Sequence, residues 1–426
     1  MAKTRVARII LGDIGIFYGA LFLTLAIRYE SAFLVDTLST HVAPFSLVLI
    51  GYIAVFYAIG LYETRSFKNS LRFTRLFIAG IIASTILALI FFYLDPGIGI
   101  APKTNLLLFT IIFGAIDYGW RSFSNASFRK GVPQRIMFLG TSPEMEKLKK
   151  YLEKNPQFGY EVNETNPTII VLDKNEIGNS ARIEKIYESF IKGSEVTTVA
   201  SLTEQVQQKV PISELEKMWF IENIRISASV YEKTKSIIER GTALLLIVLG
   251  VPLMMLIAIC VKVTSKGPAI YRQTRIGKKS ATFMLYKFRT MYENAEQNGA
   301  VWAKEKDPRV TPVGRFLRRT HCDELPQLIN IIKGNLAFTG PRPERPSFVE
   351  VLKEKIPYYE IRHMIRPGIT GWAQIKYQYG SSIEDAREKL EYDLYYLKNR
   401  SLALDLAILI KTIKLFFVRP PQKSDS

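Results

Sequence analysis

The feature that most constrains this chain is a series of four long apolar runs near its start. They cover residues 9–27, 43–62, 76–94 and 106–120. A helix of about 20 apolar residues crosses the ~30 Å hydrocarbon core of a bilayer, and the first three runs are close to that length. The fourth is shorter and contains Asp117. We expect a membrane protein whose residues 1–130 form a four-helix transmembrane bundle, with the first run retained as an anchor.

Lysine and arginine are concentrated in alternate connections of this bundle. The residues that show this are Lys3, Arg5, Arg8, Arg65, Lys68, Arg72, Arg75, Arg121, Arg129, Lys130 and Arg135. Basic residues collect on the cytoplasmic side, so the alternation predicts four crossings with both ends of the bundle in the cytoplasm. Asp13 and Asp117 lie near basic ends, and we interpret them as a structural pair beside Arg8 and Arg121. A Gly-xxx-Gly pair at residues 15 and 19 would let helices approach closely.

Residues 134–222 alternate short strand-like and helical runs. Strands are expected at 135–139, 168–172 and 196–199, and helices at 144–154 and 182–191. This order is typical of a small α/β, Rossmann-like domain with a parallel sheet. The turn after the first strand, residues 140–142, lacks the two further glycines that let a backbone approach a pyrophosphate. We therefore expect a degenerate domain that binds no dinucleotide.

A fifth apolar run covers residues 242–261 and has Gly250 and Pro252 in its middle. Proline removes a helix hydrogen bond and bends the axis. Both flanks of the run are basic, whereas a crossing would leave one basic flank outside. We expect a re-entrant membrane helix over residues 237–263 that turns at Pro252. The alternative is a fifth crossing with an external C-terminal domain.

The clearest chemical signal is the pair Asp323-Glu324, which follows three arginines at helical spacing, among them Arg318. Asp323 is expected to N-cap a helix that ends at Gly334, because a helix start favours anions. An ionised Asp can attack phosphorus, and an adjacent Glu can hold Mg2+ that shields substrate phosphates. Taken alone, such a pair is more often a simple helix cap.

Basic loops around this pair strengthen the chemical interpretation. A polyproline conformation over residues 340–346 would place Arg342 and Arg345 on one face. Arg366 lies in a glycine-rich turn, and Lys287 and Arg289 belong to a Lys-Phe-Arg-Thr motif. Together these cations suit a substrate that carries a diphosphate.

The motifs of the last 190 residues resemble those of the bacterial sugar transferases, the monotopic phosphoglycosyl transferases. In chain order they are Gly267-Pro268-Ala269-Ile270-Tyr271-Arg272-Gln273, Lys287-Phe288-Arg289-Thr290-Met291, Asp323-Glu324-Leu325-Pro326-Gln327, Gly340-Pro341-Arg342-Pro343 and Gly368-Ile369-Thr370-Gly371-Trp372-Ala373-Gln374. The whole chain resembles the large, WbaP-like subgroup. The resemblance implies an α+β membrane protein whose mainly helical catalytic domain, residues 264–426, lies on the cytoplasmic face of the bacterial inner membrane.

The resemblance also implies a reaction and a set of residues. A sugar 1-phosphate moves from a UDP-sugar to undecaprenyl phosphate, UMP is released, and exopolysaccharide, capsule or O-antigen synthesis begins. Asp323 would be the covalent nucleophile, and Glu324, beside Asp323, would bind the cofactor Mg2+. Arg318 would contact the acceptor phosphate, and Arg342 and Arg366 the donor. The further substrate-binding candidates are Lys287, Arg289, Arg345 and Gln273. His321-Cys322 stands where relatives commonly have Ser-Leu or Ser-Ile, which leaves the Asp-Glu pair intact.

Two other functions are compatible with parts of the chain. A membrane-anchored nucleotide-sugar dehydratase would need a glycine-rich loop and a Tyr-x-x-x-Lys pair, which only Tyr231 and Lys235 match, by chance spacing. A non-catalytic scaffold for polysaccharide assembly would have no use for an intact Asp-Glu pair. A homodimer is compatible with the middle domain and the glycine pair.

The composition helps to choose between nucleic acid and the membrane as the partner of this basic chain. The net charge of +18 first suggests nucleic acid or an anionic membrane, and the 48% hydrophobic residues favour the membrane. We assign the positive charge to the bilayer surface, the lipid phosphate and the nucleotide donor, and expect no nucleic-acid partner. Two Cys cannot form a disulfide framework, and no metal site is expected at His41 or His363. The last apolar run, residues 402–418, is expected to be an interfacial helix with snorkelling lysines, or a buried core helix.

Overall fold

The structure of the protein, a computed structural model, describes residues 2–29, 34–94, 102–130, 133–176, 180–224, 230–293, 295, 307–377, 380 and 382–417. The chain divides into two compact units, residues 1–202 and 203–426. We describe each unit by itself. Five described helices are long and apolar enough to cross a membrane.

Four of these helices form the first part of the N-terminal unit: α1 (Ala2–Arg28), α2 (Leu34–Ile59), α3 (Leu71–Leu94) and α4 (Pro102–Lys130). They contain the four predicted apolar runs, except that α2 ends three residues before the second run does, and they share an aromatic core. The ring of Phe17 lies 4.7 Å from that of Phe109, and Phe109 stacks on Phe113 at 5.6 Å. The four helices are confirmed, and their crossing of a bilayer stays a prediction.

The acidic residues Asp13 and Asp117 share one arginine. The Arg121 guanidinium pairs with Asp13 and, at 3.0 Å, with Asp117, and the Tyr62 hydroxyl donates to Asp13 at 2.7 Å. The predicted partner Arg8 lies instead over the ring of Trp120, at 5.6 Å. Close helix approach also occurs elsewhere than predicted. A Cβ added at Gly12 would lie 2.1 Å from Trp120, whereas none of the described atoms comes within 4 Å of such an atom at residues 15 and 19.

The rest of the N-terminal unit is the predicted α/β arrangement. Its elements are β1 (Gln134–Leu139), α5 (Pro143–Glu153), β2 (Tyr160–Val162), β3 (Ile169–Leu172), α6 (Ser180–Ile191), β4 (Glu195–Thr198) and α7 (Val199–Gln207). The strands pair in parallel in the order β2-β1-β3-β4. Strand β2 has no counterpart in the sequence prediction. It is three residues long, too short for an alternating pattern to identify.

The turn after β1 is occupied by a carboxylate of the chain itself. Asp173, directly after β3, accepts hydrogen bonds from the backbone N–H groups of Thr141 at 2.9 Å and Ser142 at 3.1 Å. Gly140 has a φ of +127°, and a Cβ there would lie 2.2 Å from Asp173. Such N–H groups at a helix start are the ones that bind phosphate in nucleotide-binding folds. An internal anion therefore takes the place of a phosphate in this turn.

The second unit begins within α7 and contains α8 (Lys217–Asn223), α9 (Val230–Thr264), β5 (Ile270–Ile276), β6 (Thr282–Phe288), α10 (Pro312–Thr320), α11 (Gln327–Ile332), β7 (Ala337–Thr339), α12 (Pro346–Lys355), β8 (Gly368–Thr370), α13 (Trp372–Lys376), α14 (Ile383–Asn399) and α15 (Leu402–Phe417). Strands β5 and β6 form an antiparallel pair, and β7 and β8 a parallel one. Residues before α9 pack on this unit, since Lys209 pairs with Glu388 at 2.7 Å and Glu391 at 2.9 Å. The domain boundaries at 222 and 237 stay predictions.

Helix α9 packs one side against the second unit along most of its length. Near one end Ala243 lies in a core with Leu328 and Ile331 of α11. Near the other, Ile257 and Val261 lie in a core with Phe288 and Leu317. The apolar side chains on the opposite side are exposed. The helix is continuous through the exposed Pro252, and the re-entrant path around Pro252 stays a prediction.

The last helix, α15, directs its polar residues inward. Asp405 is buried and accepts hydrogen bonds from Tyr396 and Thr339, both at 2.6 Å. Lys411 is also buried, over the ring of Trp372 at 5.7 Å, so the prediction that this lysine snorkels is wrong. Leu402 and Leu406 are exposed. An apolar outer side on a helix anchored by polar contacts is compatible with an interfacial position, which stays a prediction.

Candidate active site

A short helix and a tight turn bring the Asp-Glu pair to the surface of the second unit. The Thr311 side chain caps α10 by accepting from Gly314 N–H at 2.9 Å. A Cβ at Gly314 would lie 2.0 Å from the carbonyl oxygen of Thr290, so the glycine lets α10 pack directly on the backbone after β6. His321 then takes a left-handed conformation, with φ +56°, and ends the helix. The chain reverses there into a 3-10 turn over Cys322–Glu324.

The prediction that Asp323 N-caps the following helix is wrong. Asp323 lies inside the 3-10 turn, and α11 begins only at Gln327, with Pro326 as its N-cap. The left-handed residue before the turn is the physical reason, because it redirects the chain before a regular helix can start. Gly334 follows α11 with φ +79°, as predicted for a helix C-terminus. The ionisation of the pair is thus controlled by neighbouring side chains and not by a capped helix.

Glu324 lies between two cations. Lys287, near the end of β6, donates from Nζ to Glu324 Oε1 at 2.6 Å, and Arg342 donates from Nη2 to the same oxygen at 3.1 Å. Burial raises the pKa of Glu324, but Arg342 and Lys287 outweigh burial and lower the pKa to about 2. Burial lowers the pKa of Lys287, and the nearby Glu324 carboxylate opposes this decrease. Glu324 is therefore a carboxylate at every physiological pH.

Asp323 has a different environment. Its side chain is buried, and none of the described residues donates a hydrogen bond to its carboxylate. Burial raises its pKa, Lys287 opposes this rise, and Glu324 adds to it. Arg318 acts on the Asp323 charge as well, while its Nε donates to Thr290 Oγ1 at 2.9 Å. Two adjacent carboxylates thus differ in their surroundings: Glu324 is bound by two cations, and Asp323 accepts no hydrogen bond from the described residues.

Four other predicted residues have different partners in the structure. Arg289 donates to the Ser265 carbonyl at 2.7 Å, and Gln273 Oε1 accepts from Arg275 at 2.6 Å. Arg366 lies 3.6 Å from Glu239 of α9, and Arg345 lies over the ring of Phe348 at 6.0 Å. These contacts leave the substrate roles of Arg289, Gln273, Arg366 and Arg345 as predictions.

The sequence reasoning missed a buried polar cluster beside the site. Lys235 donates to Thr339 Oγ1 at 2.7 Å and to Tyr396 at 2.8 Å, and pairs with Asp405 at 3.1 Å. Its nitrogen lies 3.5 Å from the Tyr231 hydroxyl. The only signal in the sequence is the helical spacing of residues 231 and 235, and their partners come from segments more than 100 residues away. Because Lys235 is fully engaged in this cluster, it is unsuited to the proton transfer of a dehydratase.

The carboxylate pair fits the way proteins bind Mg2+. Magnesium is usually held by one or two carboxylates together with substrate phosphates and water. Both cations contact Oε1 of Glu324, which leaves Oε2 on the same group, and Asp323 is adjacent without donors. The described residues contain no group of three or more His, Cys, Asp and Glu that could hold a metal by itself. Any Mg2+ here would depend on the substrate phosphates for its remaining ligands.

The second unit is similar to known proteins. Residues 230–419 match the model of a family described as "Bacterial sugar transferase". A UDP-N-acetylgalactosamine-undecaprenyl-phosphate N-acetylgalactosaminephosphotransferase of Aeromonas hydrophila is 45% identical over 181 residues, 42% of this chain and 43% of that protein. A UDP-glucose:undecaprenyl-phosphate glucose-1-phosphate transferase of Escherichia coli is 40% identical over 178 residues, 41% of this chain and 38% of that protein.

A relative from Caulobacter vibrioides is covered more completely. This UDP-glucose:undecaprenyl-phosphate glucose-1-phosphate transferase is 38% identical over 181 residues, 42% of this chain and 68% of that protein. The similarity to the Aeromonas and Escherichia proteins, by contrast, spans less than half of their length. The matched segment contains the whole carboxylate site and α9.

Proposed function

The chain belongs to the bacterial sugar transferase family, and from this membership we propose that it transfers a sugar 1-phosphate from a UDP-sugar to undecaprenyl phosphate and releases UMP. The observation that carries the proposal is the pairing of Lys287 and Arg342 on Glu324, next to an Asp323 to which none of the described residues donates a hydrogen bond. Relatives named for UDP-glucose and UDP-N-acetylgalactosamine support the donor class. The reaction would begin the assembly of an exopolysaccharide, capsule or O-antigen.

The proposed route has two displacements at one phosphorus atom. An oxygen of Asp323 bonds to the β-phosphorus of the donor, and the bond from that phosphorus to the bridging oxygen breaks, so that UMP leaves. An oxygen of undecaprenyl phosphate then attacks the same phosphorus and releases the Asp323 carboxylate. Because no described residue donates a hydrogen bond to Asp323, no such bond from this part of the chain has to break before attack, which supports this role.

The cations of the site would stabilise the anionic substrates. Lys287 holds Glu324 ionised, and Arg342, 42% exposed in its side chain, can also reach toward a donor diphosphate in front of the pair. Arg318, on α10, is the proposed contact of the acceptor phosphate. Mg2+ bound by Glu324 and Asp323 would neutralise phosphate charge during the displacement.

The packing of α9 supports a position at one face of the membrane. Both ends of its inner side contact the same unit, near Ala243 and near Val261, while the outer apolar side is exposed. A crossing helix would carry the polar contacts of Lys235 and Glu239 and the core around Val261 to opposite faces. We propose that α9 is re-entrant and that the site lies at headgroup depth on the cytoplasmic face of the bacterial inner membrane. A homodimer stays a prediction.

The test is a UMP-release assay on the purified full chain. A panel of UDP-sugars is supplied with undecaprenyl phosphate and Mg2+, and Lys278→Met, an exposed lysine on the β5–β6 turn, serves as the unaffected control. We expect UMP from at least one donor and none from Asp323→Asn. Absence of UMP with every UDP-sugar, from protein that is folded, would contradict the proposal and favour a scaffold.

A further inference from the structure

The segment that presents Arg342 is held by its backbone and not by the packing of the arginine. It runs from Gly340 to Arg345, between β7 and α12, and we call it the Pro-Arg-Pro loop. Pro341 and Pro343 have no N–H groups and a fixed φ, so its carbonyl oxygens carry most of its hydrogen-bonding capacity. The Arg342 side chain is 42% exposed and donates to Glu324 at 3.1 Å, and the backbone of the loop sets the point from which it reaches that carboxylate.

Four successive carbonyls of this loop each accept a hydrogen bond, and the donors lie on three other segments: β5, residues 359–364 and β8. The Pro341 carbonyl accepts from Gly368 N–H at 2.9 Å, and the Arg342 carbonyl from Arg362 Nη2 at 3.1 Å. The Pro343 carbonyl accepts from Arg275 Nη1 at 2.9 Å, and the Glu344 carbonyl from Ile276 N–H at 3.0 Å. We call these four bonds the carbonyl clamp. Consecutive carbonyls bound from three separate elements fix both the position and the rotation of the loop.

Arg362 is the member of the clamp that acts on Arg342 itself. Its guanidinium is almost fully buried and also donates to the Tyr359 hydroxyl at 2.6 Å. The same group forms an ion pair with Asp393 of α14 at 2.9 Å. A planar guanidinium can meet a carbonyl, a hydroxyl and a carboxylate in one fixed plane, which an ammonium group cannot.

We propose that Arg362, fixed by Tyr359 and Asp393, is a positioning residue that places Arg342 on Glu324 and on the donor diphosphate. The inference rests on the proposed function for its kinetic consequence, but the clamp itself can be tested without activity. Arg362 touches no reacting group; it binds the loop through the backbone of Arg342 and lies 3.9 Å from the carboxylate of Glu344.

The test uses Arg362→Lys, which keeps a positive charge beside Asp393 but loses the fork. Its matched control is Lys209→Met, which removes another cation paired with α14. Lys209 pairs with Glu388 and Glu391, and neither of these residues belongs to the Pro-Arg-Pro loop. We expect kcat/KM for the donor to fall about 10-fold to 100-fold in Arg362→Lys, the range for loss of a charge-assisted contact. Lys209→Met should change thermal stability with little change in kcat/KM per folded molecule.

A double-mutant cycle separates positioning from simple destabilisation. If Arg362 acts through Arg342, then Arg342→Ala should lower kcat/KM strongly in the native background and less than about 3-fold in the Arg362→Lys background. Independent, fully multiplicative losses would overturn the proposal. Should Arg362→Lys fail to fold, Tyr359→Phe, which removes a single hydroxyl from the guanidinium, decides the question in the same cycle.

Hydrogen exchange gives a readout that needs no turnover. Amides around Arg342 and Gly368 should exchange faster in Arg362→Lys than in the native protein, and should be unchanged in Lys209→Met. Unchanged exchange in Arg362→Lys would refute the clamp even if activity fell. Absence of UMP release from the native protein would instead refute the proposed function and leave the exchange result to stand by itself.

Discussion

One oxygen of Glu324 accepts hydrogen bonds from two cationic side chains, and the proposed chemistry depends on this contact. Lys287 comes from a strand and Arg342 from the Pro-Arg-Pro loop, so neither their distance nor their convergence can be read from sequence spacing. The motif predicts which residues matter. The structure adds that Lys287 and Arg342 bind the same carboxylate. Arg289, which belongs to the same motif as Lys287, binds the backbone of Ser265 instead.

Replacing Lys287 by Met tests this contact. Loss of the ammonium removes one of two cations from Glu324, which raises the pKa of Glu324 and weakens the charge balance around the donor phosphates. We expect kcat/KM for the UDP-sugar to fall by about 10-fold to 100-fold, since a hydrogen bond to a charged group contributes about 1.5–3 kcal/mol. The measurement is UMP release against donor concentration, with Lys278→Met as the control. Equal activity of the two variants would show that Lys287 has no role in the site.

His363 gives a prediction about stability and pH. Burial, with Arg362 and Lys353 adding to it, lowers its pKa from 6.5 to about 3. Between these values the unfolded chain binds a proton that the folded chain does not, so His363 destabilises the fold as the pH falls through this window. The slope contributed is at most about 1.4 kcal/mol per pH unit.

The variant His363→Phe should therefore show a smaller fall in Tm between pH 6.5 and pH 4 than the native protein. Thermal unfolding in detergent at several pH values measures this. At pH 8 the histidine is neutral in both states, so the difference there reports packing alone and serves as the internal control. Parallel Tm curves of variant and native protein over the acidic range would contradict a neutral buried His363.

At the scale of elements, α9 is the helix whose role was least determined by its sequence. Its length and apolar composition are those of a crossing helix, and the sequence favoured a re-entrant one through Gly250 and Pro252 in its middle and its two basic flanks. The packing adds a further argument, because the inner side contacts the same unit at two places, around Ala243 and around Ile257 and Val261. The sequence of α9 by itself cannot show this packing, because its partners β6, α10 and α11 lie elsewhere in the chain.

Cysteine labelling tests the topology of α9. Lys233 and Lys266 are exposed and lie on the two sides of its apolar run, and the native Cys260 and Cys322 are first replaced by Ser. We expect a membrane-impermeant thiol reagent to label Lys233→Cys and Lys266→Cys from the cytoplasmic side only, in inverted vesicles and not in intact cells. Labelling of the two positions from opposite sides would mean that α9 crosses the membrane.

At the scale of the whole molecule, the sequence predicts organisation better than contacts. The four apolar runs, the parallel sheet and the order of the motifs all appear as expected, because each rests on a local pattern. The start of α11, the partners of Lys235 and the inward side of Lys411 were missed or wrong. The last two depend on segments far apart in the chain, whereas the start of α11 depends on the left-handed conformation of His321, which has no signal in its residue type.

The division into two units leads to a prediction about truncation. The second unit has its own cores around α9, and the family match from residue 230 lies within it. We expect a chain that begins at Val199, which keeps α7 whole, to retain most of the UMP release of the full chain in detergent or nanodiscs. A folded truncated protein without activity would place an essential contribution in residues 1–198.

The covalent step is the central claim, and trapping the phosphosugar on the enzyme tests it most directly. The full chain is incubated with Mg2+ and a reactive UDP-sugar but no lipid acceptor, and its peptides are analysed by mass spectrometry. We predict one phosphosugar on the peptide that contains Asp323, its loss when undecaprenyl phosphate is added, and no adduct on Asp323→Asn. Turnover without any adduct, or near-normal turnover by Asp323→Asn, would contradict the two-step route through Asp323.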